Sequence, residues 1–122
     1  MRRAARVDAN HGLVRDRIRF VGRPCKDTSA YPEFCDLVAL HLAGHPVLME
    51  VKDGDKPPSA RKLTPAQVSF HMEFPVVVVK NEVEGLIAIG YPADAAAQNV
   101  ATWDAQYVQR ELRRRARQKG KR

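Results

Sequence analysis

The chain has 122 residues, the length of one domain, and its 44% hydrophobic content includes no apolar run long enough to span a membrane. No apolar segment follows the N-terminal Met1-Arg2-Arg3, and the only cysteines are Cys25 and Cys35, which excludes a disulfide framework and a four-cysteine zinc site. A cytoplasmic protein that does not engage a membrane is expected. The net charge of +7 is unevenly placed: residues 1–26 sum to +6, 27–109 to −6 and 110–122 to +7. Two basic ends around an acidic middle suit a polyanionic partner, of which nucleic acid is the commonest.

In chain order, Val7, Val14, Ile18 and Val21 share one stripe of a helix over residues 7–21, with Asp8 as its cap and Arg15, Arg17 and Arg19 off the stripe. Gly22 and Pro24 end it. A short strand over 23–28 and a polar loop lead to the apolar runs Asp36–His41 and Pro46–Lys52, which read as a hairpin around Ala43-Gly44, covered on both faces. A loop containing Pro57-Pro58 precedes a second helix, with Thr64 as N-cap, Pro65 at the first position and an apolar stripe of Val68 and Met72. The four valines Val76–Val79 read as a buried strand, Asn81 as the cap of a helix with Val83, Leu86, Ile87 and Ile89, and Ala93 onward as one final helix running into the basic tail. The fold expected is a small mixed sheet flanked by helices, of α/β (α+β) class, with residues 1–92 as its core and 93–122 as a C-terminal helix and tail of the same domain.

The chemistry concentrates in the hairpin. A turn centred on residue 43 sets Asp36 opposite Glu50, and side chains so paired have Cβ atoms ~4.5–5.5 Å apart. Glu50 and Lys52 project to the same face as Asp36. Two acids and an amine beside an apolar sheet are costly unless neutralised. Carboxylate oxygens select Mg²⁺ or Mn²⁺ for that purpose.

Asp36 followed by Glu50-Val51-Lys52 resembles the PD-(D/E)XK nuclease signature, and more closely its virus-type replication–repair branch (VRR-NUC), whose relatives include Holliday-junction resolvases of phage and archaeal type. The likeness runs from about Val7 to Glu84 and takes in Lys52-Asp53-Gly54 and Leu63-Thr64-Pro65-Ala66-Gln67, where Gln67 holds the place of the branch's glutamine. Cys35 stands where the motif name has proline, and Asn10 where many members carry a first-helix glutamate. The resemblance implies a restriction-endonuclease-like core and a Mg²⁺- or Mn²⁺-dependent endodeoxyribonuclease of phage or prophage type, acting on branched DNA as a homodimer. It further implies that Asp36, Glu50 and the Val51 carbonyl hold the metal and that Asn10 contributes from the first helix. Lys52 would position or deprotonate the attacking water, and Gln67 would support Lys52 or the scissile strand. The alternative is a non-catalytic DNA-binding accessory protein that keeps the fold.

DNA contacts are expected from Arg15 and Arg19 on the first helix and from Arg113, Arg114, Arg115 and Arg117 in the tail, since phosphate contacts add up without reading sequence. His41 and His45 read as turn residues, His71 as a surface or core histidine on Gln67's side of its helix, and Cys25 and Cys35 as core fillers. Trp103 and Tyr107 read as packing the last helix onto the body, and that helix or 81–90 as the dimer face.

Overall fold

A computed structural model describes residues 10–53 and 63–120. Nine elements follow one another: α1 (His11–Phe20), β1 (Cys25–Asp27), β2 (Leu37–Leu40), β3 (Pro46–Val51), α2 (Pro65–Glu73), β4 (Val76–Val79), α3 (Glu82–Ala88), α4 (Ala93–Thr102) and α5 (Ala105–Gly120). The mixed α/β class expected from the sequence is the one found. Val7 and the proposed cap Asp8 lie outside the described residues, as does the Pro57-Pro58 loop. Among the described residues no helix is long and apolar enough to cross a membrane.

The strands form one sheet in the order β1-β2-β3-β4, with β1, β2 and β3 antiparallel and β4 parallel to β3 across the α2 crossover. The hairpin register is the expected one, with Leu37 against Met49 and Val38 against Leu48. Gly44, at φ 98°, supplies the left-handed residue its turn needs. Alternation then sorts the side chains. Leu37, Ala39, Val47, Met49 and Val51 face a core completed by Val14 and Ile18 of α1, Leu86 of α3 with Ile89 at its end, and Ala96 of α4. Glu50, lying between Met49 and Val51, faces the other side, under α2. Thus the hairpin is not covered equally on both faces: Val38, Leu40 and Leu48 remain half-buried.

Three further expectations are corrected. β4 is not a buried strand but an edge of the described sheet, with Val79 buried and Val77 and Val78 about two-fifths exposed. α2 does not turn Val68 and Met72 inward: Met72 is 83% exposed, and the helix instead buries Phe70. The final helix is two, because Trp103 adopts an extended backbone and Asp104 starts α5 by accepting from the Tyr107 N–H at 2.8 Å.

α1 is clamped to the later helices by a buried cation. Arg17, 1% exposed, donates to Glu82 Oε2 at 2.8 Å, Asn99 Oδ1 at 3.0 Å and the Trp103 carbonyl at 2.7 Å. It therefore belongs to the interior rather than to the solvated arginine face. Trp103 and Tyr107 pack edge-on to Phe20, with ring centroids 6.3 and 6.0 Å away.

Candidate active site

The register that opposes Leu37 and Met49 carries Asp36 to the level of Glu50, where the two strands leave the ladder. The Asp36 N–H donates to the Met49 carbonyl at 2.9 Å, and its carboxylate Oδ2 accepts from the Val51 N–H at 2.8 Å. Backbone bonds thus hold the Asp36 carboxyl against the Glu50-Val51 segment. Glu50 is only 2% exposed. Burial first, then the hydrogen bond and negative charge of Asp36, push its carboxyl pKa well up, against the opposing pull of Lys52 and Gln67.

α2 closes the site from above. Its start is a capping box in which Gln67 N–H donates to Thr64 Oγ1 at 3.2 Å and Thr64 N–H donates to Gln67 Oε1 at 2.9 Å. With Oε1 so occupied, Gln67 Nε2 donates to Glu50 Oε2 at 2.5 Å. Gln67 therefore orients Glu50, a contact that the sequence reading, which gave it Lys52 or the scissile strand, did not include. One turn on, His71 Nε2 stands 3.8 Å from Glu50 Oε1. Burial, then the Lys52 charge, hold its pKa below the ordinary value. Spacing placed His71 on Gln67's side of the helix; that it faces a buried acid depends on how α2 lies on the sheet, which no local pattern records.

Lys52 follows on the same face, half-buried, its N–H bonded to the Val79 carbonyl at 2.9 Å, and its charge reaches both Glu50 and His71. Asn10 immediately precedes α1, and its side-chain amide donates to the carbonyls of Lys52 and Lys80, tying the helix to the ends of β3 and β4. Its Oδ1 is buried with no hydrogen-bond partner among the described residues. Asp27, at the same end of the sheet, was missed by sequence reasoning. It accepts from Ser29 and Arg15 and contacts His11 at 3.1 Å.

Among the described residues no three His, Cys, Asp or Glu side chains form a preassembled metal cluster. The donors converge in pairs, Asp36 with Glu50 and Glu50 with His71. Two carboxyls on adjoining segments of the hairpin, one with a buried oxygen that has no hydrogen-bond partner among the described residues, are chemically suited to a hard divalent cation that keeps several of its waters.

The arginines proposed for DNA divide in two groups. Arg15, Arg19 and Arg113 line one groove between α1 and α5, together with Asp16, and Arg15 is paired there with Asp16 at 3.0 Å and with Asp27 at 3.3 Å. Arg117 follows Arg113 by one turn of α5. Arg114 and Arg115 are engaged by Glu111 at 2.7 and 3.0 Å, and Arg115 also donates to the Phe20 carbonyl at 2.9 Å. Compared with known proteins, the chain matches no family model, no curated protein and no solved structure at a significant level.

Proposed function

We propose that this chain is a divalent-metal-dependent endodeoxyribonuclease that hydrolyses phosphodiester bonds in branched DNA. One observation carries the reading: the β2–β3 hairpin sets the half-buried Asp36 carboxyl beside the buried Glu50 carboxyl, with a lysine two residues on. Two negative charges so placed are destabilising, and either a proton on Glu50 or a cation between the carboxyls offsets them.

Asp36 and Glu50, with the Val51 carbonyl between Glu50 and Lys52, would hold Mg²⁺ or Mn²⁺. A cation there supplies charge neutralisation at the phosphate and a lowered pKa for the attacking water. Gln67 fixes the Glu50 carboxyl so that its free oxygen keeps one direction. The Lys52 ammonium places positive charge where it offsets the negative charge that grows on the phosphate as water adds and the leaving oxygen departs. The groove of Arg15, Arg19 and Arg113 offers phosphate contacts away from the reacting centre.

Asn10 favours a second reading, a non-catalytic DNA-binding protein, because its amide is committed to two backbone carbonyls and α1 adds no carboxylate. Turnover separates the two. Incubated with four-way-junction, flap, nicked and linear DNA, the protein is expected to cut branched substrates only when Mn²⁺ or Mg²⁺ is present. Binding without cleavage of any substrate would decide for the second reading.

A further inference from the structure

At the centre of the site two buried polar atoms face each other without meeting. Glu50 Oε1 and His71 Nε2 are 3.8 Å apart, beyond hydrogen-bond reach, with side chains 2% and 15% exposed. Among the described residues neither has a hydrogen-bond partner. The other Glu50 oxygen is taken by Gln67. Gln67 and His71 lie one turn apart on α2, so a single helix face brings an amide to one oxygen and an imidazole to the other. Unpaired buried polar atoms are costly, and two that face each other share the want of a common partner. Oxygen and nitrogen donors that each sit ~2.1 Å from one ion are at most ~4.2 Å apart, so the observed separation lies within a single ion's span.

We propose that Glu50 Oε1 and His71 Nε2 jointly hold the divalent cation, with His71 as a nitrogen ligand that turns the site from Mg²⁺ toward Mn²⁺. The proposal rests on the reading of Asp36 and Glu50 as metal-holding carboxylates, and adds to it a ligand from α2 and an ion preference. Mg²⁺ is hard and takes oxygen donors, whereas imidazole nitrogen is a ligand of the transition ions. Oxygen donors suit both ions, and a nitrogen donor widens the preference for Mn²⁺.

The test uses the full chain without DNA, with Mn²⁺ and Mg²⁺ as probes. Affinities come from calorimetry, and the ligand atom is read from nitrogen modulation in the electron spin echo of bound Mn²⁺. Wild type is expected to bind Mn²⁺ about tenfold or more tightly over Mg²⁺ and to show the modulation. In His71→Ala the modulation should vanish and Mn²⁺ affinity should fall about tenfold, with Mg²⁺ affinity changed less than about twofold. His71→Gln, which keeps a polar helix-forming side chain, should behave alike and so exclude a loosened α2 as the cause. Persistent modulation, or an unchanged Mn²⁺-to-Mg²⁺ ratio, in both variants overturns His71 as a ligand and leaves the carboxylate reading standing. If wild type binds neither ion, or Glu50→Gln binds both as well as wild type does, both readings fall.

Discussion

Glu50 and Asp27 are two carboxyls at one end of the same sheet, held in opposite states by their surroundings. At Glu50, burial and the neighbouring Asp36 disfavour the charge. Replacing it by an isosteric amide removes that penalty while keeping an acceptor for Gln67, so Glu50→Gln should unfold in EDTA at a temperature no lower than wild type. Added Mn²⁺ should raise the melting temperature of wild type and not of the variant, which differential scanning fluorimetry reads directly. Asp27 behaves in the reverse sense. Burial works against its ionisation, but the Ser29 hydroxyl and amide and the His11 imidazole outweigh it and hold the carboxyl well below the usual carboxylate range. A carboxyl depressed in the folded state stabilises it above the unfolded value of roughly 4, and the contribution fades as pH falls toward the folded value. The difference in urea midpoint between wild type and Asp27→Asn should therefore be full at pH 7 and shrink on acidification below about pH 4. A difference that stays constant to pH 3 would contradict the assignment.

The helices meet through Arg17, and the sheet ends in β4. Arg17→Met strips a buried cation from Glu82, Asn99 and the Trp103 carbonyl together. Losing one partner of such a network costs about 3 kcal/mol or more, so the melting temperature should drop by roughly 10 °C. A loss under about 1 kcal/mol would show that the clamp contributes little. The homodimer we propose would form on the face shared by α3 and β4. Ile87 of α3 is exposed beside Val77 and Val78 of the edge strand, while Trp103, equally exposed, also packs against Phe20. An uncharged, four-valine edge is a ready template for another chain. Light scattering is expected to give twice the chain mass for wild type and the monomer mass for Ile87→Lys. These elements also show what was legible in advance. The hairpin register, and with it the Asp36–Glu50 opposition, followed from strand alternation and one glycine turn, both local. The lie of α2 did not, because the apolar-stripe rule assumes that a helix covers an apolar surface, and this one covers a carboxylate with Gln67 and His71. Arg17 escaped notice for the same reason: its partners sit 65 to 86 residues away.

Over the whole molecule the charge separates into an acidic middle, −6 across residues 27–109, and basic ends. α5 folds one of those ends back onto α1, so Arg113 joins Arg15 and Arg19 in a shared groove. If that groove grips phosphates, the slope of log affinity against log salt on duplex DNA should flatten by ~0.9 for each of Arg113→Gln and Arg19→Gln. Arg114→Gln should alter it less, since that side chain is already paired with Glu111. Neutral substitutions are preferable to truncation here, because Arg115 and Phe20 join α5 to α1. On the proposed reading, affinity and chemistry reside in different parts of the molecule, the second centred on the hairpin acids. The most direct measurement is single-turnover cleavage of a four-way junction in Mn²⁺ by wild type and Glu50→Gln, with binding followed in the same samples. The expected result is affinity within about twofold and cleavage slowed at least about a hundredfold, the loss of several kcal/mol of charge stabilisation. Cleavage by Glu50→Gln at the wild-type rate would contradict the account.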